Sequence, residues 1–256
     1  MTEAPRTIAQ VIARMEEIGA RLGPRDARRY FHATYIRSTR AFDAEIKRGG
    51  FLDPPWLEAF DVSFANLYFE ALEGWDRGQA PGAWEIPFAT ARDRPDLQPL
   101  RHVLFGMNVH VNFDLPQALI ALISDDEFDD PQLMETRQQD HMHGDDVLAS
   151  RVAEEDKLLP GKRTLTDRLL TPLNRIATKR FLAEARGKVW RNARMLSSAR
   201  RQGPGPLAER ISELDRLCAA RAADLVAPGQ VILKLARRGF GVTLPETSSV
   251  GKEGAS

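Results

Sequence analysis

The sequence predicts a mostly α-helical fold, a single-domain helical bundle of about seven or eight helices. Apolar residues recur at three- and four-residue steps through most of the chain, which is the period of an amphipathic helix. Glycine and proline residues end these stretches, as helix stops do. With 256 residues and 43% hydrophobic residues, the chain is long enough to bury one sizeable core. We expect residues 1–245 to form this domain and the polar residues 246–256 to be a disordered tail.

Three amphipathic helices are predicted in the first third of the chain. The first spans residues 8–22 and ends at a Gly-Pro pair. Asp26 is a suitable N-cap for a second helix that runs to about Arg48. The third begins near Asp53, because the two prolines that follow it suit the first turn of a helix.

Residues 74–99 are predicted to form a long ordered loop, since they hold three glycines and four prolines around several aromatic residues. The helix from Leu100 then meets Pro116, whose ring clashes with the carbonyl four residues earlier and whose nitrogen donates no hydrogen bond. A kink, or a restart with Asp114 as its cap, is therefore expected inside an apolar run.

The second half of the chain continues the helical pattern. Helices are predicted over residues 130–159 and 164–199, followed by a Gly-Pro-Gly-Pro linker at 203–206 and a last helix to about residue 227. The apolar run 231–235 is too short to assign to a strand or to a helix end. The core is expected to include six apolar residues around the kink: Leu104, Met107, Val111, Phe113, Leu119 and Ile120.

Composition narrows the class of protein. The formal net charge is zero and Cys218 is the only cysteine, so a thiolate zinc cluster and an intrachain disulfide are both excluded. No stretch reaches the roughly 18 uncharged apolar residues of a membrane-spanning helix, and the first residues lack the features of a secretory signal. We therefore expect a cytoplasmic protein that does not associate with a membrane surface.

The charges are segregated along the chain. Residues 124–156 hold twelve acids against two arginines, whereas residues 161–221 hold fifteen basic residues against five acids. The two stretches are expected to neutralise each other across the bundle or to form solvated helix faces. A nucleic-acid or anionic-membrane surface is the alternative, but few aromatic residues stand between the basic ones, which argues against nucleic acid.

One segment combines polar and apolar residues in a way that predicts a site. Asn108, His110, Asn112 and Asp114 lie within the apolar run 100–123. In a helix the His/Asp pair and the Asn/Asn pair are each four residues apart, so each pair shares a face. A buried amide without a partner costs about 1–3 kcal/mol, and a lone buried carboxylate costs more. These side chains must therefore meet donors, cations or a water-filled cavity.

A divalent metal ion is the first hypothesis for this site. The proposed ligands come from two helices, and the ion would be zinc or iron; the ligands are His110, Asp114, Asp140, His141 and Asp145. A histidine and a carboxylate at this spacing can hold one ion together, and helical bundles often build metal sites in this way. No glycine-rich phosphate loop or dinucleotide motif is present, so no nucleotide cofactor is expected.

Two functions remain open from these residues. The first is a metal-dependent enzyme, such as a hydrolase, that acts on a small ester, phosphoester or related substrate. In that case His110, Asp114 and Arg37 are catalytic, while Asn108, Asn112 and His32 bind substrate. The alternative is a non-catalytic helical protein that binds a ligand or partner and uses the His/Asn/Asp set as a buried hydrogen-bond network. In that case Asp114 is enclosed and paired with a protein donor.

The segment from Gly106 to Pro116 also carries a resemblance. Its Asn-x-His-x-Asn-aromatic-Asp-Leu-Pro pattern, with the aromatic stretch 31–69 and the segment around Asp140, resembles an uncharacterised, mainly bacterial domain-of-unknown-function family. The resemblance covers most of residues 5–245, and it implies no activity. The His-x-x-x-Asp spacing before a proline is also similar to the metal-binding helix of the helical zinc phospholipase C and P1-nuclease class. Those enzymes have a further histidine after the proline, where this chain has Gln117, Ala118 and Leu119.

Overall fold

The computed structural model describes the backbone of residues 3–158 and 165–246, with side chains in those ranges except at 149, 151–182, 232 and 236. The described residues are mostly helical and contain no strand, which confirms the predicted fold class. The α-helices are α1 (Ile8–Arg21), α2 (Arg28–Lys47), α3 (Pro54–Asp76), α4 (Gly82–Asp93), α5 (Pro99–Val109), α6 (Leu115–Leu122), α7 (Asp125–Phe128), α8 (Pro131–Leu158), α9 (Leu165–Gln202), α10 (Pro204–Val226) and α11 (Val231–Arg238). A π-helix, His110–Asp114, joins α5 to α6.

Helices α1 and α3 begin where the sequence predicts, whereas the N-cap of α2 is Ala27, one residue after the predicted cap Asp26. Thr7 caps α1 by accepting a hydrogen bond from the backbone nitrogen of Gln10, and Asp53 caps α3 in the same way through Trp56. The backbone nitrogens of Leu52 and Asp53 in turn donate to the carboxylate of Asp140, which reaches them from α8. The start of α3 is thus fixed by one local acid and one distant acid.

The predicted loop at residues 74–99 is wrong in its central part, where α4 forms. Its first turn is capped by a residue distant in sequence: the carboxylate of Asp215 on α10 accepts from the backbone nitrogens of Gly82 and Ala83, at 3.0 and 2.8 Å. Pro87 lies inside this helix and is buried with Trp84. The burial of Trp84 and Phe88, together with the packing of α4 on α10, stabilises a helix whose local sequence contains a breaker.

Two clusters of buried apolar residues form the core of the described helices, and half-buried Met107 and Val111 pack against both. Helix α3 packs on α6, α6 on α9, and α4 on α10, while α2 packs on α5 and α8. Of the predicted core residues, Phe113, Leu119 and Ile120 are buried. The other three, which pack half-buried against the core, are Leu104, Met107 and Val111.

A close helix contact sets the position of α5. A Cβ atom on Gly106 would fall 2.5 Å from the ring of Phe31, so only glycine allows this approach of α5 to α2. The contact places the end of α5 and the π-helix beside the aromatic residues of α2. The glycine of the sequence motif therefore has a packing role.

Ion pairs join the acidic stretch 124–156 to the basic stretch 161–221, as predicted. Arg200 pairs with Asp125, and Arg201 pairs with Asp129 at 2.7 Å. Arg186 reaches from α9 to Asp145 on α8. Within the described part of the chain, no helix has both the length and the hydropathy needed to cross a membrane.

Candidate functional site

The π-helix forms because Pro116 leaves the helix without one backbone donor. Leu115 donates its backbone N–H to the carbonyl of His110, five residues earlier, and the chain then continues as α6. The helix therefore restarts at Asp114, as expected, through a wider helical turn. The Asp114 side chain, however, does not cap α6. Single π-turns within helices occur often at functional sites, so the local geometry agrees with the position of the motif.

Asp114 and His110 form a buried pair on one side of this turn. The Nδ1 atom of His110 lies 2.7 Å from Oδ2 of Asp114, and the indole nitrogen of Trp84 donates to the same oxygen at 2.9 Å. The two residues of the pair are 3% and 1% exposed. The carboxylate is thus enclosed and paired with protein groups, and its donors are Trp84 and His110.

Aromatic rings surround the His110 imidazole. The ring of Phe64 stacks on it with 3.6 Å between centroids, and Tyr35 meets it edge-on at 4.5 Å. Burial lowers the pKa of His110 well below its usual range. Burial also raises the pKa of Asp114 well above its usual range, although the Trp84 indole opposes this effect. The pair is therefore most stable in the core when it carries no net charge.

Several buried polar atoms on the π-helix, α2 and α3 have no hydrogen-bond partner among the described residues. They are Nε2 of His110, the hydroxyls of Tyr35 and Thr39, and Oδ2 of Asp61. Burial, followed by repulsion from Asp43, raises the pKa of Asp61 to about 7. Unpaired buried polar groups are uncommon in folded proteins and require an explanation.

The two asparagines of the motif point to the C-terminal segment. The Nδ2 atoms of Asn108 and Asn112 both donate to the carbonyl of Phe240, at 2.8 and 3.0 Å. The Oδ1 atom of Asn112 accepts from the backbone nitrogen of Val242 at 2.7 Å. One amide thus binds a carbonyl and the N–H two residues later, as a neighbouring β-strand would.

Asn192 on α9 makes the same pair of contacts with the C-terminal segment, two residues after those made by Asn112. It donates to the carbonyl of Val242 and accepts from the backbone nitrogen of Leu244, with both distances 2.9 Å. We call Asn108, Asn112 and Asn192 the asparagine ladder. Phe240, Val242 and Leu244 are all buried, so this segment is extended, with alternate side chains facing the core.

Charged side chains bind the rest of the segment's backbone. Glu184 accepts from the backbone nitrogens of Phe240 and Gly241, at 2.9 and 3.0 Å. Lys188 donates to the carbonyl of Gly241 at 3.0 Å, and Arg210 donates to that of Pro245 at 2.7 Å. Sequence reasoning missed Glu184 and Asn192. The available signal was the alternation of apolar residues at 240, 242 and 244.

The acidic and histidine residues of α8 do not join His110 and Asp114. Asp140 holds the start of α3, and Asp145 pairs with Arg186. His141 lies beside Trp190, and burial with the nearby Arg186 lowers its pKa to about 3. The described side chains contain no group of three or more His, Cys, Asp or Glu residues arranged to hold a metal ion.

The remaining predicted site residues lie on α2. His32 is buried, and its Nε2 donates to the carbonyl of Met15 at 2.7 Å, so its Nδ1 accepts from the hydroxyl of Tyr68 at 3.1 Å. These contacts are typical of a core histidine. Arg37 donates to the hydroxyl of Thr34 on its own helix, at 3.2 Å.

Comparison with known proteins gives a family and no activity. No curated protein and no solved structure matches this chain. A protein-family profile matches residues 8–228, a segment that includes the motif and the whole of α5, α9 and α10, the helices whose side chains bind the C-terminal segment. It ends before the C-terminal segment itself. The chain therefore belongs to a family of unknown function, DUF5995.

Proposed function

We propose that this protein is a non-catalytic helical binding protein that recognises an extended peptide segment with apolar residues at alternate positions. The observation that supports this proposal is the asparagine ladder. Asn112 and Asn192 each bind a backbone carbonyl and the N–H two residues later. Such contacts recognise an extended backbone without reading its sequence, while pockets for alternate side chains supply specificity.

The protein's own C-terminal segment supplies the pattern of the ligand. Phe240, Val242 and Leu244 are 4%, 8% and 0% exposed, so each fills a site in the core. A partner segment of the same pattern, apolar at every second position and free of proline at the bonded nitrogens, would make the same contacts. Binding then requires exchange, in which the partner segment replaces residues 240–245.

The His110–Asp114 pair has a positioning role in this proposal. It joins the first and last residues of the π-helix on the side that faces Trp84. Asn108 and Asn112 lie on another side, towards the C-terminal segment. The hydrogen bond between His110 and Asp114 fixes the turn, and it thereby keeps the amides of Asn108 and Asn112 directed at the C-terminal segment. This role corresponds to the non-catalytic interpretation of the sequence, in which the His/Asn/Asp set is a buried hydrogen-bond network.

Peptide exchange in the full-length chain tests the proposal. The double substitution Val242→Asp with Leu244→Asp removes two buried apolar groups and is expected to release the C-terminal segment. A fluorescent peptide with the sequence of residues 236–246 should then bind this variant, and bind the unaltered protein at least tenfold more weakly because the attached segment competes. Fluorescence anisotropy measures both affinities.

Two controls complete this experiment. The same peptide with both aspartates should not bind, and adding Asn192→Ala to the double variant should weaken binding. Circular dichroism establishes that the variants are helical. A helical double variant that fails to bind the peptide would overturn the proposal.

A second candidate is the metal-dependent hydrolase of small esters or phosphoesters, favoured by the unpaired Nε2 of His110. Asp114 binds the other ring nitrogen, which is how a carboxylate orients a histidine that transfers protons or holds a metal. Zinc or iron would be held at Nε2 in this case, with Asp114 fixing the ring. The neighbouring hydroxyl of Tyr35 would lie close to the reacting groups.

Metal analysis tests this second candidate directly. Protein purified without chelator should contain stoichiometric zinc or iron, and His110→Ala should lose it. The matched control is His32→Ala, which removes a buried histidine that is already bonded at both nitrogens. Equal metal content in all three proteins would contradict the candidate.

A further inference from the structure

A cleft of about 420 Å³ lies between α8 and α9, and none of its lining residues belongs to the asparagine ladder. We infer that this cleft, called here the arginine cleft, binds a small organic anion, a carboxylate or phosphate attached to an apolar body. Its walls combine cationic and apolar side chains within one small volume. This inference does not require the proposed peptide binding, because none of the residues that line the cleft belongs to the asparagine ladder.

The cationic wall comes from one face of α9. Arg186, Arg191 and Arg194 all line the cleft. Arg186 is paired with Asp145, and Arg191 forms an exposed pair with Glu246 at 2.9 Å, whose side chains are 52% and 82% exposed. Exposed pairs of this kind contribute little, so an incoming anion can compete with Glu246. Arg194 makes no ion pair with any described residue.

The geometry of arginine suits this ligand. A guanidinium presents several N–H donors in one plane, which match the oxygens of a carboxylate or phosphate. Among the described residues that line or pair at the cleft, three guanidiniums are paired with two acids, so these groups together leave a positive charge. Charge complementarity therefore selects an anion over a neutral or cationic ligand.

The apolar wall selects an anion that carries a hydrophobic group. Met142 from α8 lines the cleft with 51% of its surface exposed, and Trp190 from α9 lies beside it. Trp190 is 6% exposed, and its indole nitrogen is buried with no hydrogen-bond partner among the described residues. An exposed methionine next to an aromatic ring offers a flexible surface to an apolar ligand.

Gly187 provides a way to close the cleft without disturbing the core. It lines the cleft, and a Cβ atom added to it would meet no heavy atom within 4 Å. A leucine side chain at this position would extend into the open space of the cleft and occupy part of it. It should also favour the helix, because leucine has a higher helix propensity than glycine. Gly187→Leu is therefore a blocking variant that should remain folded.

Calorimetric titration of the full-length protein tests the inference with four probes. They are 1-naphthoate, 1-naphthyl phosphate, inorganic phosphate and the neutral 1-naphthalenemethanol. At least one naphthyl anion should bind ten or more times more tightly than inorganic phosphate or the neutral alcohol. Whether naphthoate or naphthyl phosphate binds better identifies the preferred anionic group.

Variants locate the binding. Arg194→Gln should weaken binding of the naphthyl anion about tenfold, which is the effect of losing one charge-assisted hydrogen bond. Gly187→Leu should abolish binding. Arg216→Gln, which removes an exposed arginine of α10, is the control and should leave the affinity unchanged. Absence of binding by both naphthyl anions, equal affinity for inorganic phosphate, or an affinity unchanged in Arg194→Gln and Gly187→Leu would each overturn the inference.

Discussion

Trp84 donates its indole N–H to the carboxylate of Asp114, although the two residues are 30 positions apart and lie on different helices. The bond is buried, and it ties α4 to the end of the π-helix. A buried carboxylate needs such a donor, because burial without one is costly. The contact therefore links a helix that sequence reasoning did not predict to the motif that it did predict.

Trp84→Phe should destabilise the protein by about 2–4 kcal/mol, since it removes a hydrogen bond to a buried acid and part of a buried ring. Thermal and urea unfolding measure the change. Trp56→Phe is the matched control, because the indole nitrogen of Trp56 has no hydrogen-bond partner among the described residues. The proposed role of Trp84 fails if both substitutions lower stability equally.

Asp114→Asn and His110→Ala should each lower the free energy of unfolding by about 2–5 kcal/mol, because each leaves a buried partner unpaired. Under the binding-protein proposal, added zinc, iron or manganese should not change these losses. Differential scanning calorimetry with and without each metal makes the measurement. Small stability losses together with metal-dependent stabilisation of the unaltered protein alone would instead favour the hydrolase.

Asp61→Asn should change the pH dependence of stability. Burial raises the pKa of Asp61 to about 7 from 3.8, so its contribution to stability is fully present below the unfolded pKa and is lost as the pH rises through about 7. That difference corresponds to at most about 4 kcal/mol. The variant should therefore gain stability relative to the unaltered protein between pH 4 and pH 8. Urea unfolding at several pH values measures this gain, and the surface substitution Asp126→Asn is the control. A stability difference that does not vary with pH would contradict the prediction.

Gly106→Ala should destabilise the protein by about 1–3 kcal/mol, because the new methyl group would overlap the ring of Phe31. Gly187→Ala, in open space on α9, should instead stabilise it by about 0.5–1 kcal/mol. Thermal unfolding of both variants tests the contrast. Stabilisation by both substitutions would show that α5 does not approach α2 as closely as described.

Hydrogen exchange tests how the asparagine ladder holds the C-terminal segment. Asn192→Ala removes the acceptor of the Leu244 N–H, so that amide should exchange at least tenfold faster, while the amide of Leu214 in α10 should change little. NMR on the full-length protein resolves the two sites. Equal acceleration at both amides would indicate global loss of stability and not local release of the segment.

The sequence by itself determined the helical class, the first three helices and the segment in which polar groups are buried. Period and punctuation carry this information: apolar residues at helical steps form the core faces, and Asp53 with the prolines after it marks a helix start. It also predicted that Asp114 must find a partner. That conclusion needs only the cost of burying a carboxylate.

Only the tertiary structure decided which partners these groups have. Asp114 accepts a hydrogen bond from Trp84 on α4. The first turn of α4 is capped by Asp215, which accepts hydrogen bonds from backbone nitrogens 132 and 133 positions earlier. Asp140, a candidate metal ligand by its neighbours in sequence, holds the start of α3. Asn112 binds a segment 130 positions later. Residue type and spacing show that a polar group must be satisfied, but contacts over such separations depend on how the helices pack, and no local pattern records that packing.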